Sequence, residues 1–155
     1  TAAQAIAGHL SAGRDVAVPC EGGQMLWGSF MYLLARLGDR FPVDVVPGIS
    51  ALTAAPAAAR LALVERNEGL AAIPAPLDDA ALAARMDTAD AAVIFKLGRH
   101  AGRVRALLTG LGLADRAVYV EGATLAGERV LPLAEAPDPA PYFSLILVRK
   151  GDPVQ

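Results

Sequence analysis

Two glycine-centred turns are the residues of this sequence best suited to hold a small ligand against the backbone. The first is Cys20–Gln24 (Cys-Glu-Gly-Gly-Gln) and the second is Pro47–Ser50 (Pro-Gly-Ile-Ser), and each follows an apolar run and precedes a helix-like stretch. Consecutive glycines tolerate positive φ and let backbone amides approach a ligand closely. An ordinary strand-to-helix turn would use the same residue types, and Ser50 is a good helix cap, so the pattern alone leaves both interpretations open.

A run of basic residues is the second feature with chemical potential. Five side chains lie within ten positions: Lys96, Arg99, His100, Arg103 and Arg105. The run directly follows an apolar strand-like segment, Ala91–Phe95, so we expect it at the carboxyl edge of a sheet, where α/β folds bind ligands. A solvated helix face is the usual reason for such a run, and a site for a polyanionic substrate is the alternative.

Other catalytic chemistries have little support. The sequence lacks Gly-x-Ser-x-Gly, Gly-x-Gly-x-x-Gly and a Gly-Lys-Ser/Thr phosphate loop, which disfavours a serine hydrolase and the common nucleotide folds. One cysteine and two histidines are too few for a Cys/His zinc site, so no metal is expected. Cys20 is interpreted as a small core residue, and no side chain is assigned a catalytic role.

Composition predicts a globular α/β protein. Hydrophobic residues make up 54% of the 155 residues and charged residues 19%, which is enough apolar material for a core. The net charge of −2 argues against general binding of nucleic acid. The longest uncharged stretch, Val45–Ala59, contains two prolines and is too short to cross a bilayer, so no membrane partner is expected. The single cysteine fits a reducing cytoplasm.

Strand-like and helix-like segments alternate along the first part of the chain, which predicts a partial, parallel α/β lobe over residues 1–66. The predicted helices are Ala2–Ala12, Met25–Leu37 and Ser50–Arg60, and the predicted strands are Asp15–Pro19, Val43–Val46 and Leu61–Glu65.

A second α/β lobe is predicted over residues 67–155. Its predicted helices are Asp78–Met86 and Ala101–Leu111, and its predicted strands are Leu70–Ile73, Ala91–Phe95, Ala117–Glu121, Arg129–Leu133 and Tyr142–Val148. Because no helix separates the last strands, this lobe is expected to contain a mixed sheet.

Five separated segments, in order along most of the chain, carry the most specific signal: Val16–Phe30, Val45–Leu52, Lys96–His100, Tyr119–Thr124 and Gly127–Leu133. Together they resemble the tetrapyrrole (corrin/porphyrin) methylase family, and within it the branch that methylates carbon 20 of precorrin-2 in cobalamin biosynthesis. The resemblance implies a two-lobed α/β enzyme, usually a homodimer, that binds S-adenosylmethionine in the cleft between its lobes. It would transfer the methyl group to a ring carbon of an anionic tetrapyrrole.

The resemblance also assigns binding residues. Contacts to S-adenosylmethionine are expected from Gly22, Gly23, Gln24, Ser50, Ala51, Leu97, Ala123 and Thr124, with Ser144 a weaker candidate. The carboxylates of the tetrapyrrole are expected to meet Lys96, Arg99, His100 and Arg103.

Two departures from the family pattern leave alternatives open. Gly22-Gly23-Gln24 stands where the family normally has Gly-Asp-Pro, and the family's opening strand and Gly-Pro-Gly loop would precede Thr1. We therefore expect that an N-terminal part is missing from this sequence. The alternatives are a truncated or degenerate homologue that binds a ligand or partner without catalysis, and a methylase of another ring carbon.

Overall fold

The computed structural model describes residues 1–152, which form five α-helices and five β-strands. The helices are α1 (Ala2–Ser11), α2 (Phe30–Leu37), α3 (Ala51–Ala59), α4 (Asp79–Asp87) and α5 (Ala101–Gly110). The strands are β1 (Leu70–Pro74), β2 (Ala91–Phe95), β3 (Ala117–Glu121), β4 (Arg129–Pro132) and β5 (Ser144–Arg149). Short 3₁₀ turns occupy Gly98–His100, Ala114–Arg116 and Leu133–Glu135.

The chain divides into two compact units, unit 1 being Thr1–Ala51 and unit 2 beginning at Leu52. The predicted lobe limits, 1–66 and 67–155, differ from this division and stay a prediction.

Unit 1 consists of helices and extended loops. Thr1 and Gln4 cap α1 reciprocally, because the Thr1 hydroxyl accepts the Gln4 amide and the Gln4 side chain accepts from the Thr1 amine. Leu37 is the one buried hydrophobic side chain within residues 1–51, all of which the structure describes. Unit 1 therefore has little core of its own.

The strands predicted in the first part of the chain are wrong. Asp15–Pro19, Val43–Val46 and Leu61–Glu65 are all outside regular secondary structure. A strand persists only where a neighbour satisfies its backbone groups, and these runs pair with no other described segment. Cys20 is exposed, so its prediction as a core residue is also wrong.

The second predicted helix begins five residues later than expected, at Phe30 rather than Met25. Trp27 adopts a left-handed φ of 56°, which stops a helix from passing through it, although the apolar spacing continues. Helical periodicity does not detect such a conformation.

The mixed sheet predicted for the second part of the chain is confirmed. Its strand order is β1-β2-β5-β3-β4; β1 and β2 are parallel, while β5 runs antiparallel to both β2 and β3. It follows that β1, β2 and β3 all point the same way and end at one edge of the sheet, which we call the carboxyl edge. β5 starts at this edge, because Ser144 pairs with Glu121, the last residue of β3.

Both faces of the sheet are covered. Helices α4 and α5 contribute Leu82, Met86, Val104 and Leu108 to one core, while Ala55 of α3 packs in a second core on the other side. The central strand β5 is buried along its whole length. Fully burying an aliphatic side chain stabilises a fold by about 1.5–3 kcal/mol, so this two-sided core makes unit 2 the stable part of the chain. Within residues 1–152, no helix combines the length and apolar character needed to cross a membrane.

Candidate functional site

The two glycine turns of unit 1 lie against each other. A Cβ added at Gly48 would collide with the carbonyl oxygen of Gly22, and one added at Gly23 would lie 3.0 Å from the Cβ of Ser50. The side-chain amide of Gln24 donates to the carbonyl of Val46, which ties the turns together. Glycine is therefore required here by close backbone approach, beyond its use as a chain reversal.

This packing brings together four of the predicted cofactor residues: Gly22, Gly23, Gln24 and Ser50. Ala51 follows as the exposed first residue of α3. The turns expose backbone and small side chains, which suits a neutral or weakly polar part of a ligand. Their role in cofactor binding stays a prediction.

Unit 2 places its candidate residues at the carboxyl edge of the sheet. Leu97 lies two residues beyond the end of β2, while Ala123 and Thr124 follow β3, and Ser144 opens the strand between. Leu97 as a whole residue is 1% exposed and packs in the core, and its carbonyl accepts the His100 amide at 2.7 Å, so its role in cofactor binding stays a prediction. The Ser144 hydroxyl donates to the carbonyl of Pro141 at 2.5 Å.

Both segments that leave this edge contain residues in the left-handed region. Lys96 has a φ of 59° and Thr124 a φ of 67°, and glycines at 98 and 122 share that conformation. For a β-branched residue such as Thr124 this is a genuine outlier, which costs on the order of 1–3 kcal/mol and persists only where neighbours hold it.

The turn Gly122–Glu128, which joins β3 to β4, uses most of its own amides. The Gly122 amide donates to Phe143 O at 2.7 Å, that of Leu125 to Gly122 O at 2.8 Å, and that of Thr124 to the Glu128 carboxylate at 2.6 Å. The amide and the carbonyl of Ala123 have no partner within residues 1–152. Ala123 is thus left with a donor and an acceptor for something else.

A polar network built on one buried tyrosine lies at the base of this turn. The hydroxyl of Tyr119, whose side chain is fully buried, donates to Glu121 at 2.7 Å, and Arg129 lies 3.6 Å from the same carboxylate. Burial, with the hydrogen bond to Glu121 second, raises the pKa of Tyr119 to about 12. Tyr119 therefore stays protonated and acts as a donor.

Sequence reasoning missed this network and Glu128. The pairing of Tyr119 with Glu121 could have been found from the sequence. Residues two apart on a strand share a face, so a strand over 117–121 places these two side chains next to each other. The contact of Arg129 with Glu121 could not have been found in this way, because it depends on the register between β3 and β4, which places the two residues opposite each other.

The structure divides the basic run in two. Lys96 and Arg99 are exposed and His100 is half-buried, all directly beyond the end of β2. The guanidinium of Arg103 instead pairs with Asp79 and donates to the carbonyls of Ala75 and Leu77.

Arg105 is held in a similar way, because it donates to the carbonyl of Ala136 at 2.6 Å. The geometry gives Arg103 and Arg105 structural contacts within unit 2, and the substrate role predicted for Arg103 stays a prediction. Among residues 1–152, no group of three or more His, Cys, Asp or Glu side chains is placed to hold a metal ion.

Comparison with known proteins identifies relatives by sequence. The precorrin-2 C(20)-methyltransferase of a Sinorhizobium species is 46% identical over 147 residues, which covers 94% of this chain and 60% of the relative. The cobalt-precorrin-2 C(20)-methyltransferase of Salmonella typhimurium is 34% identical over 151 residues, covering 96% of this chain and 64% of the relative. The chain therefore spans less than two thirds of the length of these curated relatives.

A solved structure shares the fold. The uroporphyrin-III C-methyl transferase of Thermus thermophilus, complexed with S-adenyl homocysteine, matches 96% of this chain and 68% of its own, with a TM-score of 0.70 at 21% identity. The family model described as Tetrapyrrole (Corrin/Porphyrin) Methylases matches residues 1–137. With most of its length matched by that model, this chain belongs to the tetrapyrrole methylase family.

Proposed function

We propose that the protein is an S-adenosylmethionine-dependent C-methyltransferase that acts on carbon 20 of precorrin-2 in cobalamin biosynthesis. One observation carries this proposal: a protein named for that reaction is 46% identical to the chain over 94% of its length. The second relative, which is named for the cobalt-containing substrate, supports the same ring position at lower identity.

The residues present fit S-adenosylmethionine. In unit 1, Gly23 and Gly48 let the two turns pack directly against each other, while the backbone of Gly22 and Gly48 stays exposed. In unit 2, Ala123 keeps an amide and a carbonyl with no partner in the described part of the chain. A ligand that offers an acceptor and a donor can pair with both groups.

We assign the cofactor contacts to Gly22, Gly23, Gln24, Ser50, Ala51, Leu97, Ala123 and Thr124. S-adenosylmethionine supplies a methyl group on a positively charged sulfur. The protein residues orient donor and acceptor and exclude water, because methyl transfer is an in-line displacement whose rate depends chiefly on alignment.

We assign recognition of the tetrapyrrole carboxylates to Lys96, Arg99 and His100. These residues directly follow β2 at the carboxyl edge, and a guanidinium can hold a carboxylate through two parallel hydrogen bonds. Arg103 stays a candidate with weaker support, because its guanidinium already has three partners in unit 2. A local basic patch attracts an anion even though the whole chain is slightly acidic.

A homodimer in the cytoplasm, without a bound metal, completes the proposal. Support for the dimer comes from unit 1, where Tyr32 is 65% exposed, Ile49 76% and Val46 81%. Apolar surface of this kind is typical of protein interfaces. The single cysteine supports the reducing compartment.

A ligand-binding homologue without catalysis is the second candidate. It is favoured by the first glycine turn, where Gln24 donates its side-chain amide to Val46, within the segment in which the family pattern has Asp and Pro. Methylation of another ring carbon is the third candidate and is separated from the first by analysis of the product.

Calorimetric titration of the chain with S-adenosylhomocysteine tests the proposal. We expect a dissociation constant in the micromolar range and turnover of precorrin-2 when S-adenosylmethionine is supplied. Binding without turnover would favour the non-catalytic homologue, and the absence of any binding would contradict the proposed function.

A further inference from the structure

The turn between β3 and β4 holds a threonine in a conformation that its side chain disfavours. Thr124 has a φ of 67°. In this region the Cβ of any residue other than glycine crowds the backbone. Something in the turn must therefore compensate for this conformation.

Glu128 is the group that compensates. One of its carboxylate oxygens accepts the Thr124 amide at 2.6 Å, while its own amide donates to Leu125 O at 3.1 Å. A hydrogen bond to an ionised carboxylate is shorter and roughly twice as strong as one between neutral groups. The Glu128 side chain thus links the end of the turn to its middle.

This bond fixes the peptide plane that joins Ala123 to Thr124. In a trans peptide the N–H and the C=O point in opposite directions, so anchoring the Thr124 amide on Glu128 directs the Ala123 carbonyl away from Glu128. The Ala123 side chain packs against the second core of unit 2, which fixes the other end of the residue. The Gly122–Ala123 peptide, which carries the Ala123 amide, is held by the Leu125 amide, which donates to Gly122 O at 2.8 Å. Both unpaired backbone groups of Ala123 are therefore oriented before any ligand arrives.

We propose that Glu128 is a positioning residue for S-adenosylmethionine: it touches no part of the cofactor and acts by holding Thr124 in the left-handed region. This inference rests on the proposed function, in which Ala123 and Thr124 contact the cofactor. Preorganisation of this kind raises affinity because the ordering cost is met during folding.

Titration with S-adenosylhomocysteine tests this role in three variants of the chain. Glu128→Ala is expected to bind about tenfold more weakly, because the Thr124 amide loses its acceptor and the turn must then be ordered when the ligand binds. Glu128→Gln, whose amide oxygen still accepts from Thr124, is expected to recover most of the affinity. Glu135→Ala, which removes an exposed glutamate elsewhere in unit 2, is the matched control and should bind normally.

A second measurement separates positioning from general loss of structure. All three variants should still unfold in one cooperative transition, because both cores of unit 2 are left intact. Glu128→Gln and Glu135→Ala should melt close to the unmodified chain, while Glu128→Ala should melt a few degrees lower, since the Thr124 amide loses its acceptor. Hydrogen exchange of the Thr124 amide should be slow in the unmodified chain and fast in Glu128→Ala.

Two results overturn the proposal in different ways. Equal affinity of the unmodified chain and Glu128→Ala, or a Glu128→Gln variant as weak as Glu128→Ala, would eliminate the positioning role alone. If the unmodified chain does not bind S-adenosylhomocysteine, the proposed function fails and this role fails with it.

Discussion

The glycine turns of unit 1 and the carboxyl edge of unit 2 are built in opposite ways. In unit 1, two backbone segments touch directly, and only Leu37 is buried within residues 1–51. In unit 2, every candidate segment follows a strand with packed cores on both faces, and polar side chains such as Glu128 hold its turns. Backbone complementarity thus shapes the candidate residues of unit 1, and a rigid sheet supports those of unit 2.

Replacing one isoleucine in each unit by alanine tests this contrast, and the effect on the free energy of unfolding is the largest that we expect. Ile146→Ala in β5 should lower the free energy of unfolding by about 2–5 kcal/mol, because a fully buried side chain leaves a cavity. Ile49→Ala, where the side chain is 76% exposed, should change it by less than about 0.5 kcal/mol. Urea denaturation measures both. An equally large loss at Ile49 would mean that the apolar surface of unit 1 is covered, as a dimer would cover it.

The contact between the two glycine turns gives the next largest effect. Gly48→Ala inserts a Cβ into the Gly22 carbonyl, so the turns must separate, and affinity for S-adenosylhomocysteine should fall about a hundredfold. Gly8→Ala is the control, because a Cβ there meets nothing within 4 Å. Calorimetry on both variants checks the prediction. If Gly48→Ala binds as well as Gly8→Ala, the turns do not form part of the cofactor site.

The sequence predicted unit 2 much better than unit 1. The limits of β2 and β3 are as predicted, because each is a short apolar run that finds partners in the same sheet. Asp15–Pro19 has the same local pattern but no partner strand, and a local pattern does not report on partners. Tertiary pairing therefore decided which apolar runs became strands.

The candidate site was predictable only in part. The glycine turns and the basic run are visible in the sequence, because unusual residue types cluster there. The roles of Arg103 and Glu128 are not visible, since Arg103 meets Asp79 across 24 residues and Glu128 acts through the left-handed backbone of Thr124.

The division of the basic run predicts different outcomes for two arginines. Arg99→Ala should weaken binding of a polycarboxylate tetrapyrrole severalfold and reduce its salt dependence, without a change in melting temperature. Arg103→Ala should instead cost about 1 kcal/mol of stability, because it breaks the contacts that tie α5 to the segment after β1. Binding at several salt concentrations, together with thermal denaturation, separates the two. If Arg103→Ala weakened tetrapyrrole binding and Arg99→Ala lowered stability instead, Arg103 would be the residue that binds the substrate.

Tyr119→Phe tests the network beside the turn, and its effect on stability is confined to high pH. The pKa of Tyr119 is raised from 10.0 to about 12 in the folded chain, so the stability from its protonated form is complete below pH 10 and is lost as pH rises toward 12. Denaturation curves across this window should fall more steeply for the unmodified chain than for Tyr119→Phe. Parallel curves would show that Tyr119 does not titrate in this way.

The proposed reaction can be followed on the substrate itself. The chain is incubated with precorrin-2 and S-adenosylmethionine carrying a ¹³C methyl group, and the product is examined by carbon NMR. We expect a single new labelled methyl carbon, attached at carbon 20. Label at another ring carbon, or no label in the tetrapyrrole although S-adenosylhomocysteine binds, would contradict it.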